Sequence, residues 1–246
     1  MSATVTSSGW DVVRAETEHE HALLGAELLA RAIDEAVRVR GRACVALSGG
    51  ATPGPAYRKL AEYDLPLDRI DWFWVDERAV APDHLRSNYR AVCEDLQLGR
   101  ADASRVHRME ADATDLAAAA ARYERLLRQT FGVASAVAFD AMTLGIGDDG
   151  HTASLFPAAG AVAIDDRLVA AIEAQPSRGI EARMTLTAPV ICEARFVLVL
   201  AKGPQKRAPV TEVFLDGPED AVPARLLRRA RGKITWLFDR HVQDAS

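Results

Sequence analysis

The sequence predicts an α/β fold in which a mostly parallel, Rossmann-like sheet carries helices on both faces. Short apolar runs alternate with amphipathic segments along most of the chain, the pattern of repeated strand–helix units. Several of the runs are apolar at nearly every position, as strands covered on both faces require. Glycine-rich turns follow two of them, after Leu47 and Leu144, and in such sheets ligands sit beyond the carboxyl ends of the strands.

Within residues 18 to 40, Ala22, Ala26, Leu29, Ile33 and Val37 recur at spacings of four and three and line one helical face, which Gly41 closes. A strand follows at Ala43 to Leu47. Next comes the turn Ser48-Gly49-Gly50-Ala51-Thr52, then Pro53 opening a helix through Tyr57 and Leu60. Ile70 to Val75 reads as an aromatic-rich strand, and the next helix begins near Ser87 and Asn88, both good capping residues. Leu116, Ala120, Tyr123, Leu127 and Phe131 mark a longer amphipathic helix, and Phe139 to Leu144 is the strand that leads into the second glycine-rich loop. Further strands are expected at 168–174, 183–187, 195–200 and 233–238, with helices near 204–215 and 223–230. No Pro/Ser/Gly linker divides the chain. Residues 1–246 therefore read as one domain, with a small subdomain placed at about 155–195.

With 246 residues, 49% of them hydrophobic, the chain can bury a large core. A net charge of −5 gives no global attraction for nucleic acid or an anionic membrane, so an anionic ligand must be held by locally clustered Arg and Lys. Cys44, Cys93 and Cys192 are odd in number and lack C-x-x-C spacing, which argues against a disulfide framework or a structural zinc site. No signal-like N-terminus or membrane-length apolar run is present, and the expectation is a soluble cytoplasmic protein with no obligate protein partner.

Three motif look-alikes require weighing. Gly145-Ile-Gly147-Asp-Asp-Gly150 fits the spacing of a dinucleotide fingerprint, but Asp148 and Asp149 would repel a pyrophosphate, and the strand before it is not the first of the fold. Gly49 to Gly54 has the glycine spacing of a nucleotide-binding P-loop, yet Pro55 and Ala56 stand where Lys and Ser/Thr are needed. What survives is a cradle of backbone N–H groups around Ser48 to Thr52 suited to one phosphate monoester, weighed about equally against an unliganded strand-to-helix turn. Ala46-Leu-Ser48-Gly-Gly50 imitates a nucleophile elbow, but only one strand is read before it and no late Asp and His pair stands out except Asp239 and His241. Ser48 is read as a hydrogen-bond donor.

Leu47-Ser-Gly-Gly-Ala-Thr-Pro53, Trp74-Val-Asp-Glu-Arg78 with Ser87-Asn88-Tyr89, and Gly145-Ile-Gly-Asp-Asp-Gly-His-Thr-Ala-Ser-Leu-Phe-Pro157 together resemble the 6-phosphogluconolactonase family. The likeness continues through Arg183-Met-Thr-Leu-Thr187, Gly203-Pro-Gln-Lys206 and Trp236-Leu-Phe-Asp239, in family order over nearly the whole chain. The resemblance implies the fold of glucosamine-6-phosphate deaminases and ribose-5-phosphate isomerases. It also implies hydrolysis of a sugar-phosphate lactone without metal or cofactor, in the oxidative pentose phosphate pathway.

His151 is the candidate general base, since an imidazole ordinarily titrates near neutrality, and Asp149 could orient it. The competing reading of His151 is a cap on a following helix, a task that Thr152 or Ser154 could also perform. The candidate substrate and phosphate residues are Ser48, Gly49, Gly50, Thr52, Asp76, Glu77, Arg78, Arg183 and Lys206, of which Lys206 falls in the family's Gly-x-x-Lys motif. Arg78 could equally be engaged by Asp76 or Glu77, whose own task is left open. A deaminase or isomerase on the same fold is the nearest rival. Related deaminases place a glutamate five residues beyond the histidine, where this chain has Phe156. A sugar-phosphate sensor, the second rival, would need a DNA-binding segment, for which there is no room ahead of the first helix.

Overall fold

The computed structural model describes residues 4–5, 9–132 and 137–242. β1 (Thr4–Val5) and β2 (Asp11–Ala15) precede α1 (Glu18–Arg40), β3 (Ala43–Leu47) and α2 (Gly54–Leu60). β4 (Ile70–Trp74) passes through one residue into β5 (Asp76–Arg78), followed by α3 (Asn88–Asp95), β6 (Val106–His107), α4 (Leu116–Phe131) and β7 (Ala141–Gly145). The rest comprises β8 (Val169–Ile172), β9 (Arg183–Leu186), α5 (Ala188–Glu193), β10 (Phe196–Ala201), α6 (Arg207–Phe214) and β11 (Lys233–Asp239).

Eight strands form the main sheet in the order β1-β2-β11-β10-β7-β3-β4-β6. Every described pairing in it is parallel except β1 with β2. From β3 the chain builds outward through β4 and β6, whereas from β7 it builds the other way through β10 and β11. The β3/β7 seam is therefore the topological switch point, where an open parallel sheet leaves a crevice beyond its strand ends. Both glycine-rich loops leave the sheet at this seam.

Successive side chains of a strand point to opposite faces, and β11 shows helices on both. Leu237 reaches toward Gly25 of α1, while the neighbouring Trp236 and Phe238 pack on Phe214 of α6. Gly25 sits inside a helix because a Cβ there would lie 2.8 Å from the Cβ of Ala56, where α1 and α2 touch. Thr17 caps the start of α1 by accepting from the Glu20 N–H, and Gly41 ends it in the left-handed region at φ 76°.

A second sheet, β5-β9-β8, is antiparallel and stands at the carboxyl end of β4. Two of its strands come from the expected runs 168–174 and 183–187, but the third is Asp76–Arg78, continuous with the central sheet.

Several expectations need correction. β1 and β2 add two strands before Ser48; β2 buries Val12, Val13 and Ala15 but is short and carries Asp and Arg. Residues 223–230 form a 3-10 turn from Pro223 to Arg229, in which buried Arg225 donates to the carbonyls of Glu212, Leu215 and Pro218. The helix expected over 204–215 begins with a 3-10 turn and becomes α-helical only from Arg207. No helix follows His151: Thr152 bridges to Leu155, Ala153 has φ 50°, and Ser154 bonds elsewhere. Neither a dinucleotide fingerprint nor a histidine cap can operate without that helix.

Candidate active site

At the β3/β7 seam lies a cavity of about 350 Å³. One wall is the loop from Ser48 to Pro53, the facing wall is Gly145 to Asp148 with His151, and Asp76, Arg78, Asn88, Arg183 and Lys206 contribute the remaining polar side chains of the lining.

The loop after β3 is held from behind. The Ser48 N–H donates to Thr143 Oγ1 on β7 (2.9 Å), and the Tyr57 hydroxyl bonds both the Ser48 carbonyl (2.8 Å) and Thr143 Oγ1 (2.6 Å). Burial pushes the Tyr57 phenol upward, so it stays protonated as a donor. Gly50 has φ 103°, and a Cβ on Gly49 would fall 2.0 Å from Asn88 Oδ1. Among the described residues, the N–H groups of Gly49, Gly50, Ala51 and Thr52 have no protein acceptor. The hydrolase-elbow reading fails on partners. Among the described residues Ser48 Oγ meets only Thr143, and the Asp239 carboxylate is taken up by the N–H groups of Gly203, His241 and Val242.

The loop after β7 folds on itself, with Gly147 N–H donating to the His151 carbonyl and Gly150 N–H to that of Gly147. This turn sends its two carboxylates apart. Asp149 Oδ1 lies 2.5 Å from His151 Nδ1 and accepts the His151 N–H, while Asp148 Oδ1 lies 2.6 Å from Lys206 Nζ. Partial burial works to raise the Asp149 pKa, but the hydrogen bond and charge of His151 outweigh it, leaving the carboxyl at about 2. Gly147 is required here because its Cβ would stand 2.0 Å from His151 Nδ1. The other side of the imidazole rests on Phe156, with ring centroids 4.6 Å apart.

β5 sorts the acidic pair by strand alternation. Asp76 and Arg78 face the cavity, whereas Glu77 turns away and is absent from its lining. Glu77 accepts from the N–H groups of Arg78, Asn88 and Tyr89 and from the Ser87 hydroxyl, all within 2.9 Å. Burial raises its pKa against those four bonds. Glu77, carried among the candidate substrate residues with its task left open, has its carboxylate engaged at the start of α3.

Asp76 is buried and accepts from Ser154 Oγ (2.6 Å) and Asn88 Nδ2 (3.1 Å), with Arg183 Nη1 at 3.9 Å. Arg183 stacks over Phe156 at 5.3 Å; burial draws its pKa down and Asp76 opposes that. The Arg78 guanidinium donates to the Arg86 carbonyl rather than to Asp76 or Glu77. Asn88 and Ser154 are the residues that sequence reasoning missed. The sequence offers Asn88 as a helix cap and within the resemblance, with no site role, and nothing local in the sequence brings Ser154 to a carboxylate 78 positions away.

The chain matches the family model described as glucosamine-6-phosphate isomerases/6-phosphogluconolactonase over residues 16–236. A 6-phosphogluconolactonase of Nostoc sp. is 37% identical over 218 residues, covering 87% of this chain and 88% of that protein. Among solved structures, 6-phosphogluconolactonase from Trypanosoma cruzi superposes with a TM-score of 0.85 at 26% identity, covering 96% of each chain. A monomeric glucosamine-6-phosphate deaminase, 23% identical, shares the fold with a TM-score of 0.78 over 94% of this chain and 97% of its own.

Proposed function

The chain belongs to the family of glucosamine-6-phosphate isomerases and 6-phosphogluconolactonases, and on that premise we propose that it hydrolyses 6-phospho-D-glucono-1,5-lactone to 6-phospho-D-gluconate, a step of the oxidative pentose phosphate pathway. The observation that carries this reading is the Asp149–His151 pair, set in one cavity with a glycine loop of open N–H groups and Lys206.

The substrate's phosphate lies on the Ser48–Thr52 loop and draws its counter-charge from Lys206, Arg78 and Arg183. The lactone ring then extends toward His151. With Nδ1–H donated to Asp149, Nε2 is the free acceptor of the imidazole. It takes a proton from water as the water oxygen adds to C1, and the carbonyl electron pair moves onto its oxygen. Collapse of that adduct breaks the bond from C1 to the ring oxygen, which leaves with the proton held on Nε2. Asp149 remains ionised and stabilises the imidazolium between the two transfers. Asp76, fixed by Ser154 and Asn88, keeps Arg183 in place and offers an acceptor to sugar hydroxyls.

Phe156 favours lactone hydrolysis over deamination. Its ring, buried against His151 and under Arg183, fills the place where related deaminases carry a carboxylate. The test follows hydrolysis of the lactone above its spontaneous rate, with glucosamine 6-phosphate as the competing substrate. Turnover of the lactone is expected. Turnover of glucosamine 6-phosphate alone would overturn the reading.

A further inference from the structure

Of the three cations lining the cavity, Lys206 is held differently from the others. Arg78 is tied to a backbone carbonyl and Arg183 is flanked by Asp76 and Phe156. Lys206 has one described partner, Asp148, whose side chain is 73% exposed while that of Lys206 is 17% exposed. Asp148 has no other described hydrogen bond or ion pair, and its neighbour Asp149 is committed to His151. A largely buried ammonium is thus neutralised by a carboxylate reaching in from solvent on a glycine-flanked turn, at the edge of the loop with open N–H groups.

We propose that Asp148 is a displaceable counter-ion for Lys206: a phosphate monoester must push it aside to bind, and its return helps to release the phosphorylated product. The inference rests on the reading of this cavity as a sugar-phosphate site. An exposed carboxylate on an ammonium is a weak pair, because water and salt screen it. A phosphate dianion that also receives backbone N–H bonds makes stronger, charge-assisted contacts and wins the exchange. Asp148 keeps the ammonium paired in the empty site and lowers the affinity for every phosphorylated ligand. It therefore raises KM and limits retention of a product that carries a new carboxylate as well as its phosphate.

The probe is 6-phosphogluconate, titrated by NMR into the wild-type protein, Asp148→Asn, Lys206→Ala and the double variant, with circular dichroism confirming the fold of each. Asp148→Asn is expected to tighten binding about threefold to fivefold, as loss of an exposed pair allows. In the Lys206→Ala background most of that gain should vanish. An unchanged or weaker affinity in Asp148→Asn overturns the proposal, as does a gain that persists undiminished without Lys206, which would mean simple long-range repulsion. Failure of the wild-type protein to bind 6-phosphogluconate at millimolar concentration would overturn both this proposal and the sugar-phosphate reading. Wild-type binding without the Asp148 effect overturns this proposal alone.

Discussion

At the scale of single residues, the two carboxylates of one turn have separate tasks, and each separation can be measured. On the proposed mechanism, His151→Ala is expected to lower kcat by roughly 10²–10⁴-fold, read as lactone hydrolysis above background. Gly147→Ala should cost nearly as much although it removes no functional group, because the added carbon lies 2.0 Å from His151 Nδ1 and must break the pair with Asp149. The pair also has a pH signature. Since the Asp149 pKa is depressed to about 2, its stabilising contribution is present above the ordinary carboxyl range and is lost as pH falls from about 4 toward 2. The stability difference between wild type and Asp149→Asn in urea unfolding should therefore close as pH falls below about 4. Asp149 and His151 were legible in the sequence because they are two residues apart in a turn. The partners of Glu77 were not legible because its motif gives the residue types at the strand end but not which face each occupies. One step along β5 separates a cavity residue from a helix anchor.

Elements hold these residues in place through a few close contacts. Glu77 satisfies N–H groups at the first turn of α3, so Glu77→Ala leaves buried donors unpaired and is expected to cost about 1–3 kcal/mol in denaturant unfolding. Lost stability with an unaffected α3, judged by hydrogen exchange at Asn88 and Tyr89, would contradict that anchoring role. Gly25 tests helix against helix. Alanine is the better helix former by about 1 kcal/mol, but its Cβ would meet Ala56 at 2.8 Å, and overpacking of this kind typically costs about 1–3 kcal/mol. Gly25→Ala should destabilise, and Gly25→Ala with Ala56→Gly should recover much of the loss, as measured by a double-mutant cycle. Most strands and helices were legible because periodicity and caps are local signals. β2 is not legible because five residues that include Asp11 and Arg14 show little pattern without β11 beside them. After His151, where the competing cap reading needed a helix, the chain makes a turn whose side chains bond distant groups, Thr152 to Gly145 and Ser154 to Asp76.

Across the whole molecule, α1 ties the first third of the chain to the last strand through His21, whose Nε2 lies 3.3 Å from the Leu237 carbonyl. Burial lowers the His21 pKa below its ordinary 6.5, with the Leu237 carbonyl opposing. The unfolded chain therefore binds this proton first, and stability must decline as pH falls below about 6.5 until the folded imidazole is also protonated. His21→Gln should flatten that limb below about pH 6.5, as monitored by thermal unfolding. The same long-range logic bears on how the protein is made. The lock on the loop after β3, Thr143 against Ser48 and Tyr57, joins positions 95 and 86 residues apart. At synthesis rates of roughly 5–20 residues per second, a nascent chain spends several seconds with its glycine loop made but unlocked. A stalled ribosome carrying only the N-terminal half would present the loop sequence without the partner that shapes it. The capacity to hold a phosphate should therefore be acquired late in translation, when β7 slides in beside β3.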